Sequence, residues 1–355
     1  MKDNRHFATR DLVSFSVSLL EALGLPTSDA NTVGNSLVAA DMRGVNSHGI
    51  SLLIAYTEQL RHGGINPRPT VRLVRDHAAT ALLDGDAGMG QVVATRAMAL
   101  AIDKAAEFGI GAVSVRNSQH FGAAGHYAQM ALERGMLGLA SSTAGVTMTI
   151  PGATGRVIGN NPLAIASPAG LELPILFDTA MSVVSGSKVA RLSEAHEPIP
   201  EGWVVDVYGQ NTTNPSDFFD GGSLLPFGGH KGFGLALMVE VLSGVLAGAA
   251  LTTDIKLWRN DPDQPSDVGH LLVAISIEAF RSTREFQNDV DMLVQRLGGE
   301  GVDRLGEAIR IPGASSHRHA QAASTNGVAV AVDVLESLHR LARELGIAMP
   351  APLSE

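Results

Sequence analysis

Ser47 and His48 stand side by side between Gly44 and Gly49 in the stretch RGVNSHGISLLIAY, residues 43–56. Hydroxyl and imidazole are the neutral side chains best suited to holding and moving a proton near neutral pH. Neighbours on a regular helix do not face one another, so a direct relay between them requires non-helical backbone. Gly44, Asn46 and Gly49 permit that. The structural alternative is that Ser47 caps a helix beginning at Gly49 while His48 packs beneath it. The residues alone leave both readings standing.

Three further segments carry candidate chemistry. In RNSQHFGAAGHYAQM, residues 116–130, a strand ends near Asn117 and a loop bearing His120 leads into a helix of small residues. The carboxyl end of a strand is where α/β proteins hold ligands. Phe121, Gly122, Ala123 and Ala124 would open the free N–H groups of the helix start to a phosphate or carboxylate. Otherwise His120 is a satisfied loop histidine, and His126 is expected in the core or at the surface. In PFGGHKGFGLALMVEVL, residues 226–242, four glycines surround His230 and Lys231 ahead of an apolar helix. A lysine at a helix N-terminus opposes the macrodipole and is best explained by an anion beside it. Neither a P-loop nor the Gly-x-Gly-x-x-Gly fingerprint is present, so a nucleotide site must be of another type. In LFDTAMSVVSGSKVARL, residues 176–192, Asp178 ends a strand where it suits a ribose hydroxyl or, equally, a turn. The twelve histidines show no metal-ligand spacing, so no metal is expected. His317 and His319 read as a solvated loop.

These side chains need elements to position them. Residues 9–62 pattern as helices: one capped by Thr27 or Ser28, with Val33, Leu37 and Ala40 on one stripe, and a second over Gly49 to His62. Pro67 and Pro69 mark a linker. From Ala79 short apolar runs (TALLDGD, IGAVSVRN, MLGLASST, PLAIASP, PILFDTA, GHLLVAISI) alternate with helices over Gly90 to Phe108 and Ala123 to Arg134. That is an α/β texture. The chain returns to helices from about Arg281. The expected organisation is a helical lobe from 1–75 with 281–355, around an α/β domain at 76–280.

The totals exclude several classes. Lys plus Arg number 26 against 36 Asp plus Glu, a net charge of -10, so nucleic acid is not an expected partner. Among 355 residues there is no cysteine, which rules out disulfides and thiolate metal sites and fits a reducing compartment. The first residues lack the apolar core of a signal peptide. The run Gly234 to Leu251 contains Glu240 and reads as a core or subunit-interface helix rather than a membrane span. A cytoplasmic protein without membrane contact is expected.

AADMRGVNSHG, NSQHFGAAGHYA, GNNPLAIASP, FDTAMSVVSGSK, GGHKGFGLALMVEVLSGVLAGA and GHLLVAISIEAF follow one another across nearly the whole chain. Together they resemble the type 2 malate/L-lactate dehydrogenase family. The resemblance implies a non-Rossmann α/β fold with a central sheet, a homodimer, and dependence on NAD or NADP. It implies hydride transfer between nicotinamide and a small 2-oxo or 2-hydroxy acid, or a related ketone or imine. Ser47, His48 and His120 take the proton-transfer roles by this resemblance. Phe121, Gly122, Ala123, Ala124, Asp178, Thr179, Ala180, Lys188, His230, Lys231 and the turn Pro312, Gly313, Ala314 border the cofactor together with His120.

Departures from the family pattern matter too. Leu52 stands where relatives carry a carboxylate-binding arginine, Asn160 replaces a threonine, and Gly186 replaces an arginine. The last change tilts the expectation toward NAD. Tyr56 keeps an aromatic that touches substrate in some members. Losing the arginine leaves a buried carboxylate without its partner. Either Arg43, Arg156 or Arg191 replaces it, or the substrate lacks a carboxylate there; an apolar wall at Leu52 favours the second. A catalytically silent nucleotide sensor or scaffold is the competing reading, motivated by the lost arginine and threonine and opposed by the retained histidines.

Overall fold

The computed structural model describes residues 4–257, 260–300 and 309–353. The chain opens with β1 (Asn4–Phe7), α1 (Thr9–Ala22), α2 (Thr27–Met42), a 3₁₀ turn at Asn46–His48 and α3 (Leu52–His62). Next come β2 (Arg72–His77), β3 (Thr80–Asp84), α4 (Gly90–Phe108), β4 (Ile110–Ser118), α5 (Ala124–Met130) and β5 (Met136–Ser142). They are followed by β6 (Val146–Met148), β7 (Ile158–Gly159), β8 (Leu163–Ser167), β9 (Ile175–Thr179) and α6 (Gly186–Glu194). Short pieces β10 (Val204–Val205), β11 (Asn211–Thr212), α7 (Ser216–Phe219) and β12 (Ser223–Leu224) precede α8 (His230–Val239). The chain closes with β13 (Val268–Ser276), α9 (Thr283–Glu300), α10 (Ala314–Asn326), β14 (Val328–Ala331) and α11 (Val332–Leu345).

Among the described residues the central sheet has seven strands in the order β2-β3-β4-β13-β5-β8-β9. Only its β3–β4 pair is parallel, joined across α4; the other neighbours are antiparallel. This is the α/β, non-Rossmann architecture expected from the sequence, not a doubly wound parallel sheet. Alanines on α4 and α5 (Ala97, Ala101, Ala128) pack on Val113, Val115 and Leu272, letting helices lie close on the strands.

The two chain ends share one apolar core. Phe15, Leu19, Leu37 and Leu53 from the first helices meet Val330, Leu338 and Leu341 from β14 and α11. β1 pairs antiparallel with β14, Phe7 opposite Val328. α11 buries Leu335, Leu338, Leu341 and Ala342, the three-and-four spacing of an amphipathic helix. Residues 1–3, 301–308 and 354–355 of the expected helical lobe lie outside the described residues. The boundary expected at 75/76 falls inside β2. α9 attaches to the turn after β8, where Asp291 accepts the N–H groups of Gly170, Leu171 and Glu172.

A third core lies under a small sheet, β11-β10-β12-β6-β7, built on Met148, Met181, Val204, Leu224 and Val239. Alternation did not foretell it, because strands of two or three residues are too short to show a period. β2 also lies where only a linker was expected: RLVRDH is wholly exposed at the sheet edge, so its charges hide the strand pattern. α2 begins at Thr27 with Pro26 at its cap position, so neither Thr27 nor Ser28 caps it. The apolar run expected as one helix starts at His230 and passes into a π-helical segment, Glu240–Val245. There Glu240 is buried, accepting from Asn161 Nδ2 at 2.6 Å and the Thr252 N–H at 2.7 Å. No helix among the described residues is long and apolar enough to cross a membrane.

Candidate active site

The Ser47–His48 turn is built by a carboxylate one helix earlier. Asp41, in the last turn of α2, accepts the Ile50 N–H at 2.7 Å and the Asn46 amide at 3.0 Å. A Cβ on Gly49 would sit 2.0 Å from the Asp41 carboxylate, so glycine is required there by close approach. Burial pushes the Asp41 carboxyl up to about 7, against the opposing pull of the Ile50 and Asn46 donors. Asp41 thus holds the start of the following segment, and the alternative reading of Ser47 as a helix cap falls away. Helix α3 begins at Leu52 rather than Gly49. Freed from capping, the Ser47 hydroxyl lies 2.8 Å from His48 Nδ1.

His120 arrives from the other side. Asn117, one residue before the end of β4, adopts φ 50°, its N–H on Asp267 at 2.7 Å and its amide on Asp84 at 3.0 Å. Asparagine tolerates this left-handed turn, and the turn delivers His120 beside His48. The two rings stack with centroids 5.6 Å apart and planes 24° apart. Tyr56 Oη lies 2.8 Å from His120 Nδ1, and Gln91 Nε2 donates to the same oxygen at 2.8 Å. The Tyr56 hydroxyl can donate to Nδ1 of a neutral ring or accept Nδ1–H of a protonated one, so it serves both states. Tyr56 is fully buried, with its hydroxyl turned to His120 and Gln91.

Other expectations change at this level. Leu52 is only 2% exposed and belongs to the core shared by the chain ends, so it forms no open apolar wall. At the start of α5 the Asp178 carboxylate accepts the Gly125 N–H at 2.9 Å, so one of the N–H groups expected to face an anion is already paired. Phe121, Gly122 and Ala124 are buried; Phe121 is stacked between Tyr127 and His270. Asp178 itself stays exposed to solvent, yet surrounding protein dehydrates it and raises its carboxyl above the usual range, opposed by the Gly125 N–H and by Arg43. Desolvation also lowers Arg43, with Asp178 opposing. His126 is pushed down to about 4 by burial and by the Arg43 charge.

The late turn closes this side. The Leu176 N–H donates to Pro312 O at 3.0 Å, Gly313 (φ 94°) lies against Leu176, and Ala314 starts α10. His317 and His319 are helical, not in a loop, and His319 packs over Gly44 beside Arg43. Beyond Asp178 the chain runs through Thr179 and Ala180 to Met181, whose N–H donates to Asn160 O at 2.8 Å and whose O accepts the Phe227 N–H at 3.0 Å. Asn160, Thr179, Ala180 and the exposed His230–Lys231 turn are thereby tied together. Lys188 stands apart on α6, its ammonium 4.9 Å from the Trp203 ring.

Of the three cations offered to replace the missing arginine, Arg156 is committed elsewhere: it donates to Gly222 O and Phe218 O and lies over the Phe218 ring. Arg191 is exposed on α6. Arg43 alone adjoins the Ser47–His48 turn. Three residues carry weight that their sequence context concealed: Asp41, Gln91 and His270. Each acts on a partner far away in the chain or outside its own motif, which spacing cannot reveal.

Comparison with known proteins gives one consistent result. The family model described as malate/L-lactate dehydrogenase matches residues 7–339. The malate dehydrogenase of Pyrococcus abyssi is 39% identical over 95% of this chain and 94% of its own. The L-sulfolactate dehydrogenase of Methanocaldococcus jannaschii is 36% identical over 93% and 94%. The solved structure of the malate dehydrogenase from Pyrococcus horikoshii superposes with a TM-score of 0.90 at 36% identity, covering 98% of both chains.

Proposed function

The chain belongs to the malate/L-lactate dehydrogenase family and is an NAD(P)-dependent oxidoreductase acting on CH–OH groups; from that premise we propose a small 2-hydroxy acid as substrate and a division of labour among the residues. The observation that carries it is the meeting of the His48 and His120 rings, each with its own hydroxyl partner.

The residues present fit a dinucleotide. Asp178 is a solvent-accessible acid closely surrounded by protein. Gly229 has open space where a side chain would stand, next to exposed Lys231. Asp178, Thr179, Ala180, His230, Lys231 and the turn at Pro312, Gly313 and Ala314 would hold it, with Lys231 as a point charge for phosphate. When bound, the nicotinamide donates or accepts the hydride. His120 then gives the proton to the substrate oxygen in reduction and takes it back in oxidation, with the Tyr56 hydroxyl holding Nδ1 in both ring states. Ser47 orients His48, which stacks on His120. Arg43, dehydrated and beside the turn, binds the carboxylate. Because Leu52 is buried, the case for an uncharged substrate loses its wall.

We further place the enzyme in the cytoplasm as a homodimer of two-lobed subunits. The exposed face of α8 and its continuation (Leu235, Leu237, Met238, Leu242, Val245, Leu246) supplies the apolar surface such a dimer covers. In lobe terms β2 and α9 go with the α/β side, by the contacts described above.

The test follows NADH and NADPH oxidation against oxaloacetate, sulfopyruvate, pyruvate, a cyclic imine carboxylate and uncharged ketones. Turnover of 2-oxo acids, with KM raised by Arg43→Ala, supports the reading. Turnover of uncharged ketones alone, or of nothing despite cofactor binding, overturns it. Sedimentation at several concentrations checks the dimer.

A further inference from the structure

His270 lies in the middle of the central sheet, on β13 between β4 and β5, and is fully buried. Its Nδ1 is 2.9 Å from Ser142 Oγ and its Nε2 is 2.9 Å from Ser118 Oγ. The Ser142 hydroxyl donates to Thr143 O at 2.8 Å, so its oxygen accepts Nδ1–H. In a neutral ring with Nδ1–H, Nε2 accepts the Ser118 hydroxyl. The ring is parallel to Phe121, with centroids 4.6 Å and planes 3° apart, and Tyr127 stacks on Phe121 at 4.9 Å. It also approaches the Gln119 backbone.

His270 thus touches Ser118, Gln119 and Phe121, the residues flanking His120 on both sides. We propose that His270 is the positioning residue for His120, gripping the loop that carries it; this rests on the reading of His120 as the proton-transfer group. Burial pushes the His270 ring down to about 3, so it stays neutral and lends no proton itself. The position demands a flat ring that can stack and also engage two hydroxyls. Phenylalanine would stack but strand Ser118 and Ser142 in a dry interior, whereas glutamine would bond but not stack.

The test uses the full-length enzyme with its best 2-oxo acid and pairs His270→Phe with His120→Ala in a double-mutant cycle. His270→Phe should lower kcat about tenfold or more, as small misplacements of a catalytic group do. In the His120→Ala background the same change should cost almost nothing, because the effects share one group. The 15N signals of the His120 ring should also move in His270→Phe, a readout that needs no turnover. Should His270→Phe fail to fold, Ser118→Ala with Ser142→Ala removes the ring's partners and carries the same expectations. Additive losses in kcat with an unmoved His120 ring would overturn the proposal. A full rate from His120→Ala would instead sink the reading of His120, while the ring signals would still report on the grip.

Discussion

His120 and His270 make the same kind of bond, imidazole to hydroxyl, at 2.8 and 2.9 Å, and only two residues and a strand pairing separate their surroundings. His120 sits half-buried, stacked on a second histidine. His270 is sealed between strands, and dehydration keeps it neutral. The residue type therefore sets what chemistry is available, and the local dielectric decides whether it is used. On the proposed reading, one histidine handles the proton and the other positions the first.

Changing His120 and the groups that hold its surroundings sharpens the contrast. His120→Ala should lower kcat by about 10²–10⁴ while leaving the melting temperature and the cofactor dissociation constant near wild type, measured by steady-state kinetics and fluorescence titration. A loss of stability without a loss of turnover would reverse the roles of the two histidines. Gly49→Ala drives a methyl into Asp41 and should destabilise by about 1–3 kcal/mol, read as a lower urea midpoint with reduced kcat. Tyr56→Phe removes the hydroxyl from His120 and leaves Gln91 without its acceptor, so kcat should fall about tenfold and the pH profile of kcat should shift.

The smallest effect is in the acid limb of stability. An unfolded histidine takes a proton near its ordinary 6.5, whereas native His270 and His126 refuse it until about 3 and about 4. Below 6.5 the unfolded chain binds more protons, so stability falls as pH drops through that window. Asp41 works the other way. Its native carboxyl holds a proton up to about 7, against 3.8 ordinarily, so its contribution improves as pH falls from 7 toward 3.8. Urea midpoints between pH 7 and 4 should fall less steeply in His126→Asn and more steeply in Asp41→Asn. Parallel slopes in all three proteins would remove both groups from the account.

Much of the architecture was legible. Helix α4 spans Gly90–Phe108, the limits expected, because glycines bracket a long periodic run. The strands of IGAVSVRN and GHLLVAISI also lie where their apolar runs sit, since central strands buried on both faces carry continuous apolar sequence. The edge strand β2 and the two-residue strands did not, because nothing in their composition records a partner. At the site, His48 and His120 were legible as chemistry, and their convergence followed from the family resemblance rather than from their spacing in the chain. Ser47 was legible as either a cap or a relay member, and the choice fell to Asp41, which no local pattern connects to Ile50.

The sequence by itself determined the alternation of elements, the apolar faces that bring both chain ends into one core, and the presence of proton-handling groups. Those properties are local: propensity, period and side-chain chemistry. Tertiary structure alone decided that Leu52 is buried, that Asp178 occupies the start of α5, that Arg156 is spent on carbonyls, and that one histidine is wet while another is dry. Each of these depends on desolvation and on contacts between segments distant in the chain, and both exist only once the layers have packed.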